Sequence, residues 1–300
     1  MTDDARRQAR LGALYGIGAY VSWGLLPLFL KLLVGVPAIQ IVAHRILWSL
    51  LLLAVLVVVA RGWPQLRAAL ANRRVLLLLC ASATLIAINW TVYIWAVLHG
   101  HVVEASLGYF INPLVNVALG VVALRERLRP WQGVAVAIAA AGVLALALSG
   151  GSALWISLLL AFSFGFYGLI RKTVAVDALA GLTIETALLA PVALAVLAFA
   201  AQDGSAAFGP DAHLNLLLML AGVVTALPLL MFAAAARRMR YATLGLFQYL
   251  APTLQFLEAV LLFGEPLRTV HFLTFACIWT GCALYAADLI RAARTPISPQ

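Results

Sequence analysis

The sequence predicts an all-α integral membrane protein with ten transmembrane helices arranged as two inverted five-helix repeats. Three observations lead there. Of the 300 residues, 65% are apolar and only 10% charged, a composition outside the range of soluble globular domains. Ten apolar stretches can be laid along the chain, each close to the roughly 20 residues a helix needs to cross a bilayer core about 30 Å thick. Residues of the first five stretches also recur at matching places in the second five.

The stretches run over about 12–33, 38–60, 75–98, 103–124 and 131–149, then 153–171, 180–201, 213–236, 241–263 and 268–289. Arg6, Arg7 and Arg10 precede the first, as in a signal peptide, but that stretch is too long for a signal core and reads as a spanning helix. His44 and Arg45 lie in the second, with Trp48 on the His44 face four residues on. Asn89, Trp90 and Tyr93 mark the third stretch, and Ser106, Tyr109, Asn112 and Asn116 form a polar stripe at helical spacing on the fourth. Such stripes must meet other helices or water rather than lipid. Pro113 and Pro252, in the fourth and ninth, are expected to kink their helices. Gly133, Gly142 and the alanine runs of the fifth suit close helix packing, including a homodimer contact. Glu185 opens the seventh, and the ninth carries Gln248, Tyr249, Gln255 and Glu258.

Loop charges test the count. With a cytoplasmic amino terminus, the inner segments hold Arg61, Arg67, Arg73, Arg74, Arg125, Arg127, Arg129, Arg171, Lys172, Arg237, Arg238 and Arg240, beside the arginines of the two tails. The outer segments hold only Lys31 and Arg268. That asymmetry places both termini in the cytoplasm. It also accounts for the formal net charge of +9 without nucleic acid as a partner.

The repeat is carried by particular residues. Ser22-Trp23-Gly24 leads to Lys31 as Ser163-Phe164-Gly165 leads to Lys172, and the same offset sets His44 opposite Glu185. A slightly smaller one sets Asn89 opposite Pro228, Tyr93 opposite Phe232, Pro113 opposite Pro252 and Glu126-Arg127-Leu128 opposite Glu265-Pro266-Leu267. The expected layout is a tail over 1–11, repeats over 12–149 and 153–289, and a tail over 290–300. Since five is odd, the second repeat enters the membrane from the opposite side, an arrangement recurrent in secondary transporters.

Four stretches carry a resemblance: His44-Arg45-Ile46-Leu47-Trp48-Ser49, Asn89 through Val97, Glu104 through Leu114, and Tyr167 through Lys172. From about Gly12 to Asp288 the chain resembles RarD-like members of the EamA family, within the drug/metabolite transporter superfamily. The resemblance implies a bacterial inner-membrane carrier in which helices one to four and six to nine surround the pathway while five and ten lie at its edge. No substrate comes with it.

Charged side chains at membrane depth normally face a bundle interior or a cavity. The candidate pathway residues are therefore His44, Arg45, Trp48, Asn89, Trp90, Tyr93, Ser106, Tyr109, Asn112, Glu185, Gln248 and Tyr249. Arg45 offers a permanently charged fork for a carboxylate or phosphate, and His44 can change charge near neutral pH. The pair favours a small anionic or zwitterionic substrate, with an aromatic part stacked on Trp48, Trp90 or Tyr93. Glu185 and His44 are the candidates for proton coupling. Two arrangements of Glu185 stay open: a direct pair with His44 or Arg45, or opposite mouths of one cavity.

The function expected is secondary transport by alternating access, in the export direction, of a small metabolite or drug-like compound. A polytopic membrane enzyme acting on a lipid or isoprenoid is the rival reading, but it would gather its polar residues at an interface, whereas here they spread across both repeats. No phosphate-binding loop, nucleophile elbow or metal-ligand spacing is present, and no cofactor is expected. Cys80, Cys277 and Cys282 read as small packing residues.

Overall fold

The computed structural model describes residues 3–125, 129–149, 153–236, 238 and 247–294, and among them no strand occurs. Its α-helices are α1 (Asp3–Gly24), α2 (Leu26–Lys31), α3 (Ala38–Val59), α4 (Trp63–Ala71), α5 (Arg73–Leu98), α6 (Val102–Leu124), α7 (Pro130–Leu148), α8 (Leu154–Thr173), α9 (Ala178–Gln202), α10 (Ala212–Ala236), α11 (Leu250–Leu257) and α12 (Thr269–Arg294). A π-helical segment, Glu258–Leu262, prolongs α11. Among the described residues, eight spans are long and apolar enough to cross a membrane, and two shorter apolar helices, Pro130–Leu146 and Leu250–Leu262, lie where the fifth and ninth were expected. Residues 126–128 and 239–246, which include part of the repeat match and of the ninth stretch, lie outside the described residues.

Local chemistry sets several boundaries. Pro27, in the first turn of α2, costs no hydrogen bond there, so the first span restarts at once after its break at Leu25. The Asn72 side chain accepts from the Arg74 and Val75 amides and opens α5, and Asp177 does the same for α9 through Leu179 and Ala180. Pro113 and Pro252 fall inside α6 and α11, and Pro191 and Pro228 inside α9 and α10.

The helices close a ring. Each member packs on the next in the order α6, α8, α5, α9, α3, α10, α1, α11, and α11 returns to α6. Outside the ring α7 and α12 pair with each other in the largest interface of the fold and reach the ring through α6. Small residues make that pair close. A Cβ on Gly142 would lie 2.6 Å from the Cβ of Cys277 and 3.1 Å from the Thr274 carbonyl oxygen, and one on Gly281 would lie 2.6 Å from the Ala135 carbonyl oxygen.

The loops after α2, α5, α7, α9 and the π-helical segment gather at one end. Val102 and Val103 amides donate to the two Glu265 carboxylate oxygens at 2.9 and 2.8 Å, Arg268 donates to the Ser149 carbonyl, and Lys31 sits 5.0 Å from the Phe263 ring. Gln40 joins the same end to the 203–211 loop. At the other end Arg129 meets Asp288.

Candidate functional site

Adjacent residues on a helix point about 100° apart, so His44 and Arg45 cannot share a face. Arg45 turns into the ring. Its Nε donates to Thr225 Oγ1 on α10 at 2.8 Å, and its guanidinium carbon lies 5.1 Å from the centre of the half-buried Trp90 ring. Tyr93 and Tyr109, from α5 and α6, bring their rings to 5.5 Å of each other beside it. The Tyr109 hydroxyl donates to Asn89 Oδ1 at 3.2 Å, and Asn89 Nδ2 donates in turn to Ser163 Oγ and the Leu160 carbonyl of α8. Glu258, first residue of the π-helical segment, lies near Tyr93. π-Helical turns are frequent at functional sites, since the widened turn redirects a side chain that a regular helix would hold elsewhere.

Four polar groups of this chamber make no hydrogen bond within the protein: Arg45 Nη1, the Tyr93 hydroxyl and both carboxylate oxygens of Glu258. Arg45 and Glu258 are each 5% exposed. A buried charge without hydrogen-bond partners is expensive. The chamber thus offers a donor fork, a carboxylate and aromatic faces to a bound group.

A second polar cluster lies where α5, α8 and α9 meet. Arg171 Nη1 stands 3.7 Å from Glu185 Oε1, Ser82 donates to the same oxygen, and the Tyr167 hydroxyl approaches the carboxylate. Gly181 makes the pair fit, because a Cβ there would lie 2.0 Å from Arg171 Nη1. Glu185 therefore takes Arg171 as its charged partner, rather than His44 or Arg45.

The other expected residues divide. His44 and Trp48 face away from the chamber and pack under Phe208. Ser106 returns its hydroxyl to the Val103 carbonyl of its own helix. Asn112 is fully buried near the Tyr109 turn, with neither side-chain atom hydrogen-bonded. Tyr249 stacks on Phe110 and lies against Cys282, on the α12 side, and Gln248 beside it is half-buried. Thr225, Arg171, Ser82 and Tyr167 were not among the candidate pathway residues, although Arg171 was read as an inner-loop charge and Tyr167 lay in a stretch that carries the resemblance. Among the described residues no group of three His, Cys, Asp or Glu could hold a metal ion.

Residues 10–148 match the EamA-like transporter family. Protein RarD of Escherichia coli K12 is 47% identical over 290 residues, covering 96% of this chain and 98% of its own. An uncharacterized transporter of Pseudomonas aeruginosa is 49% identical, covering 97% and 98%. A chloramphenicol-sensitive protein RarD, also from Pseudomonas aeruginosa, is 38% identical and covers 94% and 96%. One solved crystal structure shares the fold at a TM-score of 0.59 and 19% identity, covering 95% of this chain and 99% of that one.

Proposed function

The chain belongs to the EamA-like transporter family as a RarD-like member, and from that membership we propose that it is a secondary carrier exporting a small anionic or zwitterionic compound by alternating access. It is a multi-pass membrane transporter, and the pathway runs through the ring of eight helices around Arg45. The observation that carries the reading is Arg45 itself: a permanently charged side chain, buried at the ring's centre, with Nη1 free of protein partners. A substrate carboxylate fits that fork, an ammonium fits Glu258, and an aromatic body fits Trp90 and Tyr93.

Two inverted repeats, 12–149 and 153–289, form the carrier. Their support is the exchange symmetry of the main packing pairs. Swapping each spanning helix for its counterpart in the other half turns α1 with α10 into α8 with α5, and α8 with α6 into α1 with α11, and it leaves α3 with α9 and α7 with α12 unchanged. The α7–α12 contacts swap in the same way. Gly142 and Gly281 are 139 residues apart, as are Ala135 and Thr274, and each glycine touches the other pair's partner. Such repeats move against each other around a midplane site. Both termini face the cytoplasm of a bacterial inner membrane; the support for this is the excess of arginine and lysine in the sequence segments assigned to that side. A proton on Glu185 would release Arg171 and loosen the α8–α9 end, which makes this pair the coupling element.

The test compares extracellular metabolites from cells with no added carrier, with the native chain, and with Arg45→Ala at matched membrane levels. A carboxylate-bearing compound should accumulate outside only with the native chain. Equal export by native and Arg45→Ala would remove Arg45 from the path, and three equal profiles would remove export.

A further inference from the structure

Between α3 and α5 the chain makes a short extra helix, α4, of nine residues. Two corners hold it in place. Arg61, in the left-handed region at φ 52°, and the Gly62 amide, which donates to the Val57 carbonyl at 2.8 Å, turn the chain off the end of α3. At the other corner Asn72 is extended and caps α5. Both α3 and α5 are long and apolar enough to span a membrane, and only residues 60–62 and 72 join α4 to them. The helix is therefore tied to the membrane edge, at headgroup depth.

One side of α4 is in use. Leu66 and Ala69 pack on Leu79, Val174 and Ile184. Trp63, Arg67 and Leu70 follow one another at steps of four and three and so share a different face. The protein leaves that face uncovered, with Trp63 50% and Leu70 49% exposed and Arg67 exposed between them. Arg61, Arg73 and Arg74 are exposed at the corners.

Nothing nearby in sequence neutralises these four arginines, since no acidic residue occurs between Asp4 and Glu104. On α9, which packs behind α4, Asp177 accepts from the Leu179 and Ala180 amides and Glu185 faces Arg171. The ion pairs among the described residues are His101 with Glu104, Arg129 with Asp288 and Arg171 with Glu185, and the four arginines enter none of them. Arg73 and Arg74 also stand in the first turn of α5, where the helix dipole adds to their positive field. Arginines alone would suit a solvated loop. Trp63 and Leu70 beside them decide otherwise, because an exposed indole and an exposed leucine are favourable at the boundary of headgroups and acyl chains and unfavourable in water.

We propose that the α4 corner is a docking surface for an anionic phospholipid. Its phosphate lies among Arg67, Arg73 and Arg74, whose planar forks match phosphate oxygens, and its acyl chains lie along Trp63 and Leu70. The surface faces lipid, away from the Arg45 chamber, and docking there does not depend on what the carrier transports.

Photolabelling of the purified full chain in phosphatidylcholine nanodiscs tests this. The probes are trace phosphatidylglycerol and trace phosphatidylcholine, each with the same diazirine at the start of one acyl chain, and labelled peptides are mapped. Segment 61–74 should prefer the phosphatidylglycerol probe by about fivefold for each arginine engaged. Arg67→Gln combined with Arg74→Gln should lower that preference at least fivefold. Arg7→Gln combined with Arg10→Gln, which also removes two exposed charges, should leave it unchanged. Equal labelling of 61–74 by the two probes, or an equal loss in both double variants, would reduce the arginines to diffuse positive charge and overturn the proposal. Displacement of the phosphatidylglycerol probe by millimolar glycerol phosphate would also overturn it, by showing a site for free phosphate and not for lipid.

Discussion

Arg45 Nε donates to Thr225 Oγ1 at 2.8 Å, and the Thr225 hydroxyl proton is already committed to the Ala221 carbonyl at 2.7 Å. The threonine can therefore act on the arginine only as an acceptor. One edge of the guanidinium is anchored to α10 by this contact, and Nη1 is left for something else. Because α3 and α10 belong to different halves of the chain, the anchor also ties the proposed repeats together at the chamber.

Thr225→Val keeps the shape and deletes the acceptor. The expected result is a KM for the exported compound raised about threefold to tenfold, as for a lost charge-assisted hydrogen bond, with membrane abundance close to native. Arg45→Lys should fail to restore transport, since a point charge cannot reproduce the fork that both Thr225 and a carboxylate use. Transport assays on matched membranes check both, and a Thr225→Val carrier with native KM would show the anchor to be idle.

Glu185 is 1% exposed and has Arg171 as its charged partner. Arg171→Ala should therefore destabilise strongly, by about 3 kcal/mol, because it strands a buried carboxylate. Adding Glu185→Gln should recover a good part of that loss, whereas independent sites would give additive effects. Thermal melting of the native protein, the two single variants and the double variant in one detergent measures the coupling. Simple additivity would mean that the pair is incidental.

How much of this was legible beforehand depended on how each residue announces itself. A charge inside an apolar run is conspicuous, so Arg45 and Glu185 stood out. Their partners did not. Thr225 sits in an apolar helix where threonines ordinarily bond their own backbone, as Thr183, Thr186 and Thr253 do here. Arg171 ends α8, where a boundary shift of one or two residues turns a membrane-depth ion pair into a loop cation. His44 was grouped with Arg45 by adjacency, although helical geometry alone separates their faces. Glu258 was visible as a charge on the ninth stretch, but no sequence pattern signals the π-helical segment that begins there. The apolar composition and the run of apolar stretches about twenty residues long, by contrast, were enough for the all-helical class.

The α7–α12 crossing makes a sharper demand. Gly281→Leu would drive a side chain into the Ala135 carbonyl, which is backbone and cannot rotate away. Overpacking of that kind costs about 1–3 kcal/mol, and the melting temperature should fall accordingly. Gly133→Leu, on α7 but with nothing within 4 Å of its would-be Cβ, should be close to neutral. Equal effects at the two positions would show that the close approach at Gly281 is not what holds the pair.

Glu265 supplies a pH dependence outside the spans. Burial raises its carboxyl above the ordinary value, and the Val102 and Val103 amides oppose this only in part. A carboxyl whose folded value is raised binds its proton more tightly in the folded chain than in the unfolded one. Stability then falls as pH rises from the ordinary carboxylate range through the raised value. Glu265→Gln has no proton to lose there and can still accept from one of the two amides, so its melting temperature should change less over the same interval. Melting curves of both proteins from acid to neutral pH provide the measurement. Parallel curves would mean that other groups govern the slope, and a native curve rising more steeply than the variant's would reverse the sign, putting the two amide bonds ahead of burial.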